Sequence, residues 1–288
     1  MARVLIAGCG YTGIALGIRL ANDGHAVWGL RRRPELLPGA IQPLKADLCD
    51  ASSLTPIPPG LDYVFYTAAA ENRDDASYQA AYVTGVQNLL ERLSVTGQRI
   101  QRVFFTCSTA VYGQTNGEWV DETSETSPLE FSGRRLLEGE QLFLQGPFPS
   151  TIVRLAGIYG LGRTRLIDQV RKGEAVCQAG EPRYTNRIHR EDCAGALRHL
   201  MSLSSSEALY LGADNEPADQ FEVLGWLARR LGAPPPYLQP PTGAAAPTIR
   251  GNKRCRNARL LQSGYSFLFP TFREGYAAIL ASMDVRTS

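Results

Sequence analysis

The stretch that decides the fold is Val4-Leu5-Ile6-Ala7-Gly8-Cys9-Gly10-Tyr11-Thr12-Gly13. Val4 to Ala7 is a continuous apolar run of strand length, and it passes directly into glycines at Gly-x-Gly-x-x-Gly spacing. The following ALGIRLAND reads as a helix, Asn22-Asp23-Gly24 ends it, and His25 to Leu30 forms a second strand. The first 30 residues therefore make one strand–helix–strand unit with parallel strands.

In such a unit the first glycine permits a tight turn, the second lets the backbone approach a pyrophosphate, and the third lets the helix pack close to the strand. Unpaired N–H groups at the helix start face the phosphates. Gly8, Gly10, Tyr11, Thr12 and Gly13 are accordingly the expected phosphate-binding segment. An acidic residue at the end of the second strand would bind a ribose 2′-hydroxyl, but that place reads Leu30-Arg31-Arg32-Arg33. Guanidinium forks suit a 2′-phosphate, so Arg31 and Arg32 are expected to hold the cofactor, and NADP(H) is preferred to NAD(H). The alternative is a solvated basic turn.

Composition sets the outer bounds. The chain has 288 residues, 44% of them apolar and 20% charged, enough for a sizeable core. Thirty basic residues against 28 acidic ones leave no whole-molecule field, so neither nucleic acid nor a membrane surface is expected as a partner. Cysteines stand at 9, 49, 107, 177, 193 and 255, without a C-x-x-C pair or a neighbouring histidine pattern, so no metal site is expected. Reduced thiols and the lack of an 18-residue apolar run fit a cytoplasmic protein.

Further along, buried-strand candidates lie at Tyr63 to Thr67, Val103 to Thr106, Ile152 to Leu155 and Leu209 to Leu211. Helical patterns lie between them at about Ser77 to Leu93, Arg134 to Leu144 and Cys193 to Leu203, with two more at Phe221 to Leu231 and Arg273 to Met283. The alternation predicts an α/β fold, a doubly wound parallel sheet with helices on both faces. After Leu231 the segment GAPPPYLQPPTGAAAPT holds six prolines in 17 residues, which excludes a helix or an interior strand and leaves a surface loop or a lid.

Beyond the glycine loop, five more stretches carry a resemblance: Asp47-Leu48, Ala68-Ala69-Ala70, STAVYG from Ser108 to Gly113, RLAGIYG from Arg154 to Gly160, and Ile188 to Asp192. With them the chain resembles the short-chain dehydrogenase/reductase superfamily, in its extended branch of epimerases and dehydratases, over nearly its whole length. One departure is that the first glycine of the extended pattern falls on Ala7. The resemblance implies that Asp47 and Leu48 hold the adenine, that Ala68, Ala69 and Ala70 line the cofactor, and that Ser108 takes the slot of the catalytic Ser or Thr. It also implies an interleaved organisation. Residues 1–156 with 186–223 would form the dinucleotide-binding Rossmann domain, and 157–185 with 224–288 a smaller C-terminal substrate lobe. A homodimer through the helices Ser77 to Leu93 and Arg134 to Leu144 would follow, with Val83, Val86, Leu89, Leu90 and Leu93 serving either that interface or the core.

The same resemblance exposes losses. The family's Tyr-x-x-x-Lys pair would fall on Phe131 and Arg135, or in a shifted register on Ser132 and Leu136, and neither register supplies the tyrosine. General acid–base catalysis contributes on the order of 10²- to 10⁴-fold, so the loss matters. Arg135 could hold a ribose, or Arg134 and Arg135 could simply pair with Glu138 and Glu140 on the helix surface. Candidate replacements for the acid are Tyr112, His189 and the acidic residues Glu118, Asp121 and Glu122. His189 matches a family position that usually supports the fold.

Tyr82 stands where an asparagine usually organises the site, and Thr185 where many nucleotide-sugar members carry an arginine that Arg183 or Arg187 would have to replace. The expectation is an NADP(H)-binding, epimerase-like oxidoreductase that transfers hydride to or from an unidentified polar, sugar-like small molecule, with Ser108 and Arg135 as its catalytic candidates. The rival is a non-catalytic NADP(H) sensor.

Overall fold

The alternation of apolar residues along the first strand assigns its two faces. Val4 and Ile6 point into one apolar cluster and Leu5 and Ala7 into another, all fully buried. In the computed structural model, which describes residues 1–240 and 251–287, this strand is β1 (Arg3–Ala7) and lies inside a seven-stranded, wholly parallel sheet. The others are β2 (Ala26–Arg31), β3 (Gln42–Lys45), β4 (Tyr63–Tyr66), β5 (Arg102–Ser108), β6 (Ser150–Leu155) and β7 (Leu209–Gly212). Their spatial order is β3-β2-β1-β4-β5-β6-β7, so the direction of winding reverses between β1 and β4.

Both faces of the sheet are covered by helices. On one side α1 (Tyr11–Asn22) and the helix Arg190–Ser202 bury Leu16, Leu20, Ala194 and Leu197 against Phe65 and Phe104, whose rings stack 4.6 Å apart. On the other side lie two helical segments that follow β4, Asp75–Gln79 (α2) and Gly85–Val95 (α3), together with α4 (Phe131–Leu144). Val86, Leu89 and Leu93 pack there with Leu136 and with Phe143, stacked 4.8 Å from Phe105. A fully buried side chain of this size contributes about 1.5–3 kcal/mol, so both layers are strongly fixed. Val83, Val86, Leu89, Leu90 and Leu93 are all buried within the chain's own core, which settles the choice left open between core and interface.

A third apolar cluster stands apart from the sheet. It gathers Tyr159, Ile167 and Val170 with Val223, Leu224 and Leu227 of the helix Gln220–Leu231, and with Phe272, Tyr276 and Ile279 of the last helix, Phe272–Thr287. The chain after residue 250 does not stay with this cluster throughout. Cys255 joins the core beneath α3 and α4, and Leu260 joins the core beneath α1.

Three local features depart from the sequence reading. β3 is an additional edge strand, with Leu44 its sole buried residue and Pro43 in its middle. An edge strand tolerates proline because one side of its backbone has no ladder to complete. In the proline-rich segment Tyr237–Gln239 forms a short strand, paired in parallel with Val176–Gln178 at the margin of a two-stranded ladder. Residues 241–250 of that segment lie outside the described residues.

The helix expected from Ser77 to Leu93 is interrupted by a π turn at Ala80–Thr84. Its cause is Tyr66 on β4. The buried phenol donates to the carbonyl of Ala81, and the Gly85 N–H bonds instead to Ala80 O, five residues back. A Cβ at Gly85 would lie 2.7 Å from the Tyr66 hydroxyl, so only glycine admits this approach. No helix among the described residues is long and apolar enough to cross a membrane.

Candidate cofactor and active site

A cleft of about 910 Å³ opens at the C-terminal ends of β1 and β4, where the strand order reverses and where sheets of this type place their ligands. Sterics shape the glycine loop at its rim. Gly8 has φ +75°, and a Cβ there would lie 2.3 Å from Ala68 Cα. A Cβ at Gly13 would meet Thr67 Oγ1 at 2.7 Å and Ile6 Cγ2 at 2.9 Å, so this glycine serves the close contact of α1 with the sheet and does not line the cleft. At Gly10 the nearest atom to such a Cβ is 3.8 Å away, so the middle of the loop is open. No side chain caps α1, its first turn holds no acidic residue, and the Ile14 N–H is the first to bond back, to Gly10 O at 2.8 Å. The free N–H groups before it suit a phosphate.

At the end expected to hold adenosine the cleft is lined by Arg31, Arg32 and Arg33 beyond β2, and by Asp47 and Leu48. Asp47 Oδ1 accepts the Cys49 N–H at 2.9 Å, and its own N–H bonds to Ser53 Oγ. Arg32 Nη1 donates to Glu71 across the opening at 3.1 Å. Ala68 and Ala69 line the wall, whereas Ala70 lies outside it.

At the opposite end Ser108, the last residue of β5, lines the cleft while its Oγ accepts the Ala110 N–H at 3.2 Å. The hydroxyl expected to be catalytic thus also serves the local turn. Tyr82, carried on the π turn, also lines the cleft, and burial pushes its phenol up to about 12, so it is protonated at neutral pH.

Phe131 opens α4 and does not line the cleft; its ring stands edge-on to Tyr78 at 5.5 Å. Of the shifted register, Leu136 is buried in the core, and Ser132 does not line the cleft either. Arg135 is held by Asp75, through Nε at 2.8 Å and Nη2 at 2.9 Å, and by Glu138 through Nη1 at 3.0 Å, away from the cleft lining. Glu140 pairs with Arg154 instead, in a buried bidentate contact of 2.9 and 2.7 Å.

The other acid candidates are occupied elsewhere. Tyr112 accepts from Arg154 Nη1 at 3.0 Å and donates to Asp121 O at 2.7 Å. His189 Nδ1 caps the following helix by accepting the Glu191 N–H at 3.2 Å, and burial depresses its pKa to about 4. Glu118 accepts the Asn116 N–H, Asp121 closes a turn onto Thr123, and Glu122 accepts the Leu211 N–H. None of the five lines the cleft. Arg187 is buried, donates to Thr185 Oγ1 at 2.5 Å and does not line the cleft. The Arg183 N–H bonds to Asp219.

Two charged residues of the cleft escaped the sequence reading, Glu71 and Arg163. Each stands just beyond a recognised motif, one residue after Ala70 and three after Gly160, and nothing in the spacing marks either. Among the described residues no group of His, Cys, Asp and Glu could hold a metal ion, and all six cysteines are free.

The chain is similar to several known proteins. A structure from Methylobacillus flagellatus, described as an NAD-dependent epimerase/dehydratase, is 40% identical and matches 98% of this chain and 99% of its own, with a TM-score of 0.81. Protein YeeZ of Escherichia coli K12 is 28% identical over 292 aligned positions, covering 94% of this chain and 97% of that protein. MoeE5, solved with UDP-glucose and NAD, shares the fold at 23% identity with a TM-score of 0.81 over the full length of both chains. The model of the NAD dependent epimerase/dehydratase family matches residues 4–208, well over half of the sequence, and the chain belongs to that family.

Proposed function

We propose that the chain is an NADP(H)-dependent oxidoreductase that acts by hydride transfer on a polar, sugar-like small molecule. The observation that carries the cofactor half is the cleft itself: an open glycine loop beneath an uncapped helix start, with three arginines and no carboxylate at the end of β2. Gly8 to Thr12 and the arginines beyond β2 would hold a nicotinamide dinucleotide there, which when bound would supply or accept the hydride. The residues of the chain do the rest. The Ser108 hydroxyl polarises the reacting carbonyl or hydroxyl, and the protonated Tyr82 phenol on the π turn, which also lines the cleft, stands in for the absent tyrosine. Arg135 would support the ribose only by leaving Asp75 and Glu138. The lobe around residues 157–185 and 224–288, with its own apolar cluster, would cover the substrate.

A second reading, an NADP(H) sensor without turnover, is favoured by Phe131 in the acid's slot and by the pairing of Arg135. One experiment separates them. Calorimetry with NADPH and NADH on wild type and Arg32→Ala should show NADPH weakened about tenfold and NADH unchanged. NADPH oxidation is then followed with a panel of carbonyl substrates. Turnover that falls about 10²-fold in Ser108→Ala supports the enzyme. Tight binding with no turnover on any substrate supports the sensor, and equal loss of both nucleotides in Arg32→Ala removes the NADP(H) preference.

A further inference from the structure

Arg163 is a cleft cation to which the sequence reading gave no role. The turn Gly160-Leu161-Gly162-Arg163 is closed by the Arg163 N–H on Gly160 O at 3.0 Å, with both glycines at positive φ, +149° and +87°. This turn grips the first residue of α1. Tyr11 Oη donates to Leu161 O at 2.9 Å, and the Arg163 guanidinium lies 4.3 Å from the centroid of the Tyr11 ring.

A second guanidinium, Arg190, also faces Tyr11, but its Nε and Nη2 are committed to Glu191 at 3.0 and 2.8 Å. Arg163 has no such tie. Its Nη1 donates to Ile158 O at 3.1 Å, and no carboxylate among the described residues lies within 4.0 Å of it. A guanidinium oriented by a ring face and one carbonyl, with further N–H groups free, is ready for an anion.

Arg163 also borders a neighbouring cleft, but that one is lined by Asp168 and Glu174 beside its cations, which disfavours an anion there. The cleft that Arg163 shares with Gly10 to Thr12 has two carboxylates in its lining, Asp47 and Glu71, both beside the arginines beyond β2, Glu71 being paired with Arg32, and at Gly10 to Thr12 the free amides of α1 already call for a phosphate.

From this juxtaposition we infer that Arg163 reaches across from the turn after Tyr159 and closes on the pyrophosphate of the dinucleotide, opposite the helix start. The inference rests on the cofactor reading above. It assigns a binding role, held in register by Tyr11, and it separates two kinds of arginine: Arg163 reads what NADPH and NADH share, Arg32 what distinguishes them.

The test is calorimetry of wild type, Arg163→Gln and Arg163→Lys with four probes: NADPH, NADH, ADP-ribose and adenosine 2′-monophosphate. Arg163→Gln should weaken NADPH, NADH and ADP-ribose alike by about tenfold, leave adenosine 2′-monophosphate unchanged, and unfold at the wild-type temperature without ligand. Arg163→Lys should recover part of the loss, keeping the charge without the fork. Unchanged ADP-ribose affinity in Arg163→Gln, with wild type binding normally, would overturn the assignment and leave the cofactor reading standing. Equal weakening of adenosine 2′-monophosphate would overturn it in favour of a general structural role. Wild type that binds none of the four would remove the cofactor reading and this inference together.

Discussion

The two ends of the cleft are built from different materials. At the end expected to hold phosphate, the phosphate end, the site is made of backbone, and its geometry is enforced by sterics: Gly8 against Ala68, Gly13 against Thr67 and Ile6. At the other end, the substrate end of the proposed function, the lining depends on side chains such as Ser108 and Tyr82, and Phe131, in the slot of the family's acid but outside the lining, has no proton to give. The scaffold under that end is nonetheless intact, with Arg154 and Glu140 paired beneath it. A backbone site is lost only by disturbing the fold, whereas a side-chain site can be lost by one substitution that the fold does not notice.

The sharpest way to break this contrast is at Gly8. Gly8→Ala adds a methyl group 2.3 Å from backbone at a positive φ, and strain and overpacking together should cost about 2–6 kcal/mol. Denaturant unfolding should show that loss, and nucleotide binding should fall below detection in calorimetry. A stable Gly8→Ala variant that still binds would mean that the phosphate end tolerates change as well as the other end does.

Next in size is Arg154→Met, which leaves the buried Glu140 unpaired and should cost about 3–5 kcal/mol in the same assay. Nucleotide affinity of the folded fraction should stay at the wild-type value. A parallel loss of affinity would show that the two ends are coupled through the sheet.

The pH dependence of stability should also lie in the scaffold. Burial raises the Asp214 carboxyl to about 7, so between about pH 4 and 7 the folded state holds a proton that the unfolded chain has released. Its contribution to stability therefore falls as pH rises through that window. Burial lowers His189 to about 4, so between about 6.5 and 4 the unfolded chain binds the extra proton, and stability falls as pH falls. The two slopes oppose each other. Asp214→Asn should remove the first, so that thermal melts of the variant rise with pH between 4 and 6.5 more steeply than those of wild type. Parallel melting curves would contradict this balance.

The smallest effect is expected from Phe131→Tyr. The hydroxyl is restored, yet Arg135 remains tied to Asp75 and Glu138 and is a poor proton relay, so NADPH turnover should stay within about twofold of wild type. A large gain would show that a single hydroxyl separates the substrate end from working chemistry.

The fold was legible wherever burial left a pattern in the chain. β1, β2, β4, β5, β6 and β7 carry apolar runs because both faces of the sheet are covered. β3 was not legible, since an edge strand with one buried side chain and a proline leaves no such pattern. In the site, the glycine loop and the arginines announced themselves because a tight turn and a strand end fix their places. Glu71 and Arg163 did not, because they reach the cleft through loops whose paths are set by tertiary contacts such as that of Tyr11 with Leu161. Arg135 read as a candidate by spacing, and only the folded chain shows the two carboxylates that hold it.

The wide turn made by Tyr66 has a geometric consequence of its own. One extra residue in a helical turn puts the segments before and after it about 100° out of phase. Val86, Leu89 and Leu93 are anchored in the core, so the phase offset falls on the segment that faces the cleft, where Ser77, Ala80 and Tyr82 stand. A single phenol on a central strand thus acts as an angular setting screw, fixing which side of the neighbouring helix is shown to the ligand.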